Sequence, residues 1–438
     1  MKLLQLVLVS FALLTLAGCK EEVDDQTMTP ANAMKIVNPI PTQRNFRLNN
    51  QNHKVIVAAI DSGTDYNHPQ MINNMHFNLD ENGNPIGLGY DFIGQDYWPA
   101  PYVARTLDIN PDADQKEAAE TRTIRTQAAV LVKAYPQLNR YIDPRRNFEQ
   151  EAESGAFHGT HVSALMVYDE PRIGLISYRV LPINIKYKNG REDRPQDKLS
   201  LVIANIMQAM ALAVKSGARV INMSLALKSN SNDSIFSTLE SDNDRLKKWM
   251  KQLQSFMNAH PHVVFVAAAG NDGQWVDDKA NLQLPCGVSA DNLVCVGALN
   301  AAGNLADFSN LVLSQATFVA ANGVEIESAR PTDMCESNAL SYFKNEKTFS
   351  DESIARRLLS DCIGKKPMRT SSGTSMASPI VARVVAKLIL ENQNLSAQEI
   401  IKILVSKSEK IQLGPLLLNK IPFETPSWTK TKMVFIKP

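Results

Sequence analysis

The sequence predicts an α/β fold built on a doubly wound, mostly parallel sheet flanked by helices. Apolar runs of strand length alternate with longer helical runs through most of the chain. The strand candidates are hydrophobic at nearly every position, which is typical of strands buried on both faces. The chain has 438 residues, 44% of them hydrophobic, which is enough to bury a large core. We therefore expect one large α/β domain over residues 53–438.

The predicted elements follow one another regularly after an N-terminal polar region. Strands are expected at residues 55–60, 177–185, 219–223, 263–268 and 293–298. Helices are expected at residues 158–167, 201–215 and 242–259, and an apolar helix-forming run covers 379–390. Ligands of such sheets bind outside the carboxyl ends of the strands, so we expect the functional site at that edge.

Residues 1–18 read as a signal peptide. Lys2 supplies the positive charge, and the apolar run that follows is too short to span a bilayer. Small residues before Cys19 resemble a lipoprotein signal, which implies cleavage before Cys19 and lipid on its thiol. The alternative is an ordinary signal peptide with an incidental cysteine. Lys20 after the cysteine favours the outer membrane, so we expect an exported, lipid-anchored protein.

Three further segments stand apart from the alternating pattern. Residues 19–52 are polar and carry prolines, as expected of a tether between the membrane and the domain. Residues 95–155 contain helical spacing and predict a helical insertion. Residues 328–368 form a polar insertion with two cysteines. We expect both insertions to border the domain near a substrate cleft.

The charge balance argues against one class of partner. Lys plus Arg number 46 and Asp plus Glu number 45, and no basic stripe is visible. Nucleic acid is therefore excluded as the expected partner. We expect a monomer that requires no cofactor.

Ser375 is the first candidate for chemistry. Small residues surround it, and it precedes an apolar helical run, so it is expected in the first turn of a buried helix. There the free backbone N–H groups and the helix dipole favour developing negative charge. A serine nucleophile also needs a base and a group that orients the base. The alternative reading is a simple helix-capping serine.

Two further blocks supply those partners. Asp61 ends a predicted strand in Asp61-Ser62-Gly63, and His158 begins a predicted helix in His158-Gly159-Thr160-His161. Together with the block from Gly373 to Pro379, they resemble the three catalytic blocks of the subtilisin family of serine endopeptidases, in the same order. The resemblance covers roughly residues 55–406. It implies that Asp61 orients His158, which activates Ser375.

The resemblance also assigns an oxyanion-stabilising residue. Asn271 follows Ala267-Ala268-Ala269-Gly270, and the family's asparagine at this place donates its amide to the oxyanion. The alternative is that Asn271 merely makes a turn.

Substrate-binding residues are implied in two segments: Ser224, Leu225 and Ala226 in one, and Gly270 in the other. Ala226 stands where the family usually has glycine, so the added methyl group is expected to alter the pocket. Later, the stretch from Asp307 to Asn310 resembles the family's F-S-N stretch.

Metal binding is not expected from the histidines or acidic residues of these motifs. His161 has no H-E-x-x-H pattern or acidic set around it and is expected to be a packed helix histidine. Asp65 and His68 are expected to hold their loop. Structural calcium is common in the family, but its ligands are not assignable on this chain. A glutamate-using relative has a similar serine block, and His158-Gly159-Thr160-His161 disfavours it.

Four cysteines remain after Cys19 and allow three disulfide pairings. The local pairing joins Cys286 to Cys295 and Cys335 to Cys362. Zinc is the alternative, but no C-x-x-C spacing supports it.

The sequence thus predicts a serine endopeptidase that acts on proteins or peptides outside the cytoplasm. The alternative is a surface-anchored binding protein that keeps the scaffold without turnover.

Overall fold

The computed structural model describes residues 50–66, 68–93, 95–99, 101, 133–134, 157–181, 198–228, 242–276, 282–312, 316–331, 368–413 and 416–422. The signal peptide, Cys19, Cys335, Cys362 and most of the tether and of both insertions lie outside these residues. None of the described helices is long and apolar enough to cross a membrane.

The strands are short to medium in length. In chain order they are β1 (Val55–Asp61), β2 (Asn78–Leu79), β3 (Pro85–Gly87), β4 (Gly89–Asp91), β5 (Ile173–Arg179), β6 (Ala218–Met223), β7 (Leu227–Lys228), β8 (Val264–Ala268), β9 (Trp275–Val276), β10 (Gln283–Leu284), β11 (Leu293–Leu299), β12 (Leu311–Val312), β13 (Thr317–Asn322), β14 (Ile326–Ala329), β15 (Met368–Ser371), β16 (Glu409–Leu413) and β17 (Leu416–Lys420).

The described α-helices are α1 (His158–Val167), α2 (Lys198–Lys215), α3 (Asp242–Ala259), α4 (Thr374–Glu391) and α5 (Ala397–Ser406). α5 begins with a capping box, in which Ser396 and Glu399 satisfy each other's backbone N–H groups. Short 3-10 helices cover Asn50–Asn52 and Ile72–Asn74.

Nine of the described strands form the central sheet, in the order β16-β17-β13-β11-β8-β6-β1-β5-β4. Every neighbouring pair is parallel except β16 and β17, which are antiparallel. The predicted mostly parallel sheet is confirmed. Because β1 and β6 are central and parallel, their carboxyl ends meet at one edge.

Helices cover both faces of the sheet. Val57 and Ala59 of β1 face the core formed with α1, α4 and α5. Ala58 and Ile60 face the other core, formed with α2 and α3. β1 is therefore buried on both sides, which explains its unbroken apolar sequence.

The bounds predicted for one strand were wrong. β5 covers Ile173–Arg179 and starts earlier than the predicted 177–185. Its register with β1 runs from Val55 opposite Ile173 to Asp61 opposite Arg179, and all seven residues are buried. The apolar sequence continues beyond Arg179, but pairing with β1 decides where β5 lies.

A disulfide joins Cys286 to Cys295, as predicted. Their Cα atoms are 5.5 Å apart, and both residues are buried. The bond connects the segment after β10 to the interior of β11.

Candidate active site

Asp61 and His158 are hydrogen-bonded where β1 ends and α1 begins. His158 Nδ1 lies 2.8 and 3.0 Å from the two carboxylate oxygens of Asp61. The backbone N–H of Ser62 donates to the same carboxylate at 2.6 Å. Because the buried carboxylate accepts hydrogen bonds, His158 donates from Nδ1, and Nε2 of the neutral ring carries no proton.

The environment of His158 raises its pKa above the ordinary value of 6.5. Burial opposes the charged ring, but the charge of Asp61 and the hydrogen bond to it outweigh that effect. The His158 side chain is 23% exposed and that of Asp61 is 2% exposed, so the carboxylate side of the pair is the shielded one. A proton on His158 is therefore stabilised, which suits a group that accepts and later returns a proton.

The loop after Asp61 is joined to the first turn of α1. The backbone N–H of Gly159 donates to Ser62 Oγ at 3.1 Å. The backbone N–H of Asp65 donates to Thr160 Oγ1 at 2.9 Å. These bonds hold the end of β1 against the start of α1.

Three other residues that the sequence singled out are buried side chains of this region: Asp65, His68 and His161. His161 Nε2 lies 3.1 Å from the carbonyl oxygens of both Ile326 and Arg369. Burial lowers the pKa of His161 to about 3, so its ring is neutral at physiological pH. His68 Nδ1 accepts a hydrogen bond from the backbone N–H of Gln70. The described residues include no group of three or more His, Cys, Asp or Glu side chains placed to hold a metal ion.

Ser375 lies in the first turn of α4, where backbone N–H groups have no acceptor within the helix. Its hydroxyl donates to the carbonyl oxygen of Ser224 at 3.1 Å. The Ser224 hydroxyl donates to the carbonyl oxygen of Ser375 at 2.9 Å and lies 2.7 Å from the hydroxyl of Ser378. Reciprocal hydrogen bonds therefore join the segment after β6 to the serine of α4.

Asn271 contacts the same turn of α4. The backbone N–H and the hydroxyl of Thr374 both donate to Asn271 Oδ1 at 2.9 Å. These bonds orient the amide and leave its NH₂ end for another acceptor. Thr374 Oγ1 also accepts the backbone N–H of Gly270 at 3.1 Å. Thr374 carries no signal of this role in the sequence other than its place between Gly373 and Ser375.

The predicted substrate-binding residues lie beside these groups. Ser224, Leu225 and Ala226 connect β6 to β7, and Gly270 follows β8. Ser224 and Leu225 are buried, and Ala226 is half-buried. Gly270 has a φ of +101°, a conformation that favours glycine. Asp61 is the last residue of β1, Ser224 directly follows β6, and Asn271 lies three residues after β8. All three are thus at the carboxyl ends of parallel strands, the edge at which the site was expected.

The chain is similar to one protein family and to several solved structures. The sequence model of the subtilase family matches residues 52–421. Among curated proteins, no sequence matches the chain. Similar solved structures include a lanthipeptide protease, with 20% identity, 87% of each chain covered and a TM-score of 0.48. Another is a cold-adapted subtilisin-like serine proteinase, with 19% identity, 87% of this chain and 93% of that chain covered, and a TM-score of 0.46.

The family match spans most of the chain, including the sheet and the segments that carry Asp61, His158 and Ser375. This chain belongs to the subtilase family and is a serine endopeptidase whose substrates are proteins or peptides.

Proposed function

We propose that Asp61, His158 and Ser375 form the catalytic triad of this endopeptidase. The hydrogen bond between Asp61 and His158 Nδ1 carries the proposal, because it leaves Nε2 as the proton acceptor of the ring. The position of Ser375 at the start of α4 supports its assignment as the nucleophile.

The proposed reaction begins when His158 Nε2 takes the Ser375 hydroxyl proton. Ser375 Oγ then bonds to the peptide carbonyl carbon, and the carbonyl oxygen becomes negatively charged. As that intermediate collapses, the peptide C–N bond breaks and His158 gives its proton to the leaving amine. Water then attacks the acyl-enzyme with His158 again as the base, which releases the acid product and restores Ser375.

The resting hydrogen bond of Ser375 must change before the first step. The hydroxyl has one proton, and in this structure it donates that proton to the carbonyl oxygen of Ser224. Transfer to His158 requires that the hydroxyl turn from Ser224 to His158 Nε2. A peptide that binds along Ser224, Leu225 and Ala226 would compete for the same backbone segment and favour that turn.

Asn271 and the backbone N–H of Ser375 are the proposed donors to the oxyanion. The NH₂ end of Asn271 remains for that use because Thr374 occupies its oxygen. The N–H of Ser375 lies in the first turn of α4, where the helix dipole also favours negative charge. Ser224, Leu225, Ala226 and Gly270 are the proposed substrate-binding residues.

We further propose that the enzyme is exported, cleaved before Cys19 and anchored to a membrane by lipid on Cys19. In a cell with an outer membrane, that membrane is the proposed site of anchoring. The enzyme is proposed to be a monomer. The short apolar segment that ends at Cys19 supports this proposal. Intact-mass measurement of membrane-extracted protein is expected to show a chain starting at acylated Cys19. An unmodified N-terminus elsewhere would contradict it.

A fluorophosphonate probe tests the triad, because only an activated serine reacts quickly. The full-length wild type is expected to be labelled and to cleave a peptide. Ser375→Ala and His158→Ala are expected to lose about a millionfold in kcat, the loss known for subtilisin. Ser406→Ala is the matched control, because Ser406 is an exposed serine at the end of α5. This variant is expected to behave as wild type.

An active wild type whose Ser375→Ala variant keeps its activity would contradict the triad. A folded wild type with neither labelling nor turnover would favour a binding protein on the same scaffold.

A further inference from the structure

The turn that carries Asn271 is not held by burial. It leaves β8 after Ala268, and residues 271–275 are exposed. Trp275, a large apolar side chain, is 47% exposed. The conformation of this turn must therefore depend on hydrogen bonds from neighbouring segments.

Asn310 supplies hydrogen bonds on both sides of Asn271. Its Oδ1 accepts the backbone N–H groups of Asp272 and Gln274, at 3.0 and 2.9 Å. Its Nδ2 donates to the carbonyl oxygen of Ala269 at 3.1 Å. Its backbone N–H donates to the carbonyl oxygen of Gly270 at 3.0 Å. One residue thus binds four backbone groups of the turn while Asn271 itself remains exposed.

Gln283 fixes the orientation of Asn310. Gln283 Oε1 accepts from Asn310 Nδ2 at 2.9 Å, and Gln283 Nε2 donates to a carboxylate oxygen of Asp272 at 2.9 Å. Asn310 is 0% exposed and Gln283 is 1% exposed. The amide of Asn310 therefore has both donors and both acceptor sites in use, so flipping it would break all of these bonds.

The side chains of Gln283 and Asn310 also pack directly against Gly270 of the turn. A Cβ at Gly270 would collide with the side-chain oxygen of Gln283 and the side-chain nitrogen of Asn310. Gln283 also belongs to β10, which pairs with β7 directly after the segment Ser224–Ala226. The pair thus connects the turn to the segment that lies beside Ser375.

We propose that Asn310, supported by Gln283, is a positioning residue that holds the turn at residues 269–274 so that the Asn271 amide faces the forming oxyanion. This inference rests on the proposed function of Asn271. Asn310 is buried beneath the turn and acts on the reaction only through it. Donors that stabilise an oxyanion must be held in place before the charge develops, because a displaced donor loses most of its effect.

A double-mutant cycle between Asn310 and Asn271 tests this inference. Asn310→Ala is expected to lower kcat by about 10- to 100-fold and to change KM by less than about threefold. In the Asn271→Ala background, the same change is expected to lower kcat by less than about threefold, because the amide to be positioned is already gone. The pH midpoint of kcat/KM is expected to stay unchanged, because Asp61 and His158 are untouched.

Asn292→Ala is the matched control for loss of a buried asparagine. Asn292 directly precedes β11 and lies away from the candidate site. Its Nδ2 donates to the carbonyl oxygens of Met257, His260 and Val263. This variant is expected to lose stability while keeping the wild-type kcat. Gln283→Met is the milder second variant, with an expected kcat loss of about 3- to 10-fold that also disappears in the Asn271→Ala background.

Two outcomes would overturn the positioning role. One is an equal kcat loss from Asn310→Ala with and without Asn271, and the other is a kcat loss of the same size in Asn292→Ala. If Asn310→Ala does not fold, the cycle with Gln283→Met decides by the same criterion. A Ser375→Ala variant that retains activity would instead overturn the proposed triad, so the two failures are distinguishable.

Discussion

Gly159 lies so close to Gly63 that a Cβ on Gly159 would collide with the Gly63 carbonyl oxygen. This close approach places the start of α1 directly on the loop that follows Asp61. His158 is the neighbour of Gly159 in the chain. The close packing of Gly159 on Gly63 therefore helps to set the position of His158 relative to Asp61, to which it is hydrogen-bonded.

Gly159→Ala is therefore expected to push α1 away from the loop and to lower kcat by about 10- to 100-fold. Steady-state kinetics on one peptide, with thermal unfolding of the same variant, measures this. Gly83→Ala is the control: Gly83 has a φ of +80° but no neighbouring atom within 4 Å of the added methyl group. That variant is expected to lose some stability and no activity. Wild-type kcat in a folded Gly159→Ala variant would contradict the prediction.

If Asn271 donates to the oxyanion as proposed, Asn271→Ala is expected to lower kcat by about 100- to 1,000-fold, the range known for removal of one oxyanion-hole donor in subtilisin. KM is expected to change little, because the oxyanion exists only in the transition state. Measuring kcat and KM separately checks the prediction. A rise in KM with unchanged kcat would indicate that Asn271 binds the ground state of the substrate instead.

The pH dependence of kcat/KM reports on His158. Its raised pKa means that the ring stays protonated, and therefore inactive as a base, until the pH exceeds the ordinary value of 6.5. The acidic limb of the profile is thus expected to have its midpoint above pH 6.5. Asp61→Asn removes the charge that raises this pKa, so its residual activity, about 10⁴-fold lower, is expected to have a lower midpoint. A wild-type midpoint below 6.5 would contradict the assignment.

Stability is expected to fall on acidification for a separate reason. Burial lowers the pKa of His76 to about 4 and that of His161 to about 3, both from 6.5 in the unfolded chain. A lowered folded-state pKa contributes stability that is present above pH 6.5 and is lost as the pH falls toward the folded values. His76 Nδ1 also lies 3.0 Å from His53 Nδ1, so two protonated rings there would repel each other.

Urea unfolding at several pH values measures this effect as a slope of at most about 1.4 kcal/mol per pH unit for each histidine. His158 has the opposite sign, because its pKa is raised, and it contributes stability that is lost as pH rises through its folded pKa. His76→Asn is expected to make the acid slope shallower. An unchanged slope in that variant would exclude His76 as a source.

Loss of the disulfide between Cys286 and Cys295 is expected to lower the free energy of unfolding by about 3 kcal/mol, from loop-closure entropy. Urea unfolding of the double Cys→Ser variant measures it. Reductant is expected to destabilise the wild type more than this variant.

Peptide mapping without reductant is expected to show the second predicted bond, Cys335 to Cys362, and a crossed pairing would contradict that prediction.

The sequence alone determined the fold class and the chemical candidates, because both depend on local patterns. Unbroken apolar strands such as 55–60 predicted a sheet buried on both faces, which β1 confirms. The helices starting at His158 and Asp242 were predicted with their observed bounds. The blocks around Asp61, His158 and Ser375 are contiguous in the chain, so their residue types could be read directly.

Contacts between distant segments were decided only by the tertiary structure. Pairing with β1 sets β5 at Ile173–Arg179, although the apolar sequence extends further. The hydroxyl of Ser375 donates to the carbonyl oxygen of Ser224, 151 positions away, and Thr374 orients Asn271 across 103 positions. Asn310 holds the turn around Asn271 through hydrogen bonds to backbone groups. The side chains of the residues that supply those backbone groups give no sign of these bonds in the sequence. Such contacts depend on how the chain packs, since backbone donors and acceptors are the same at almost every position.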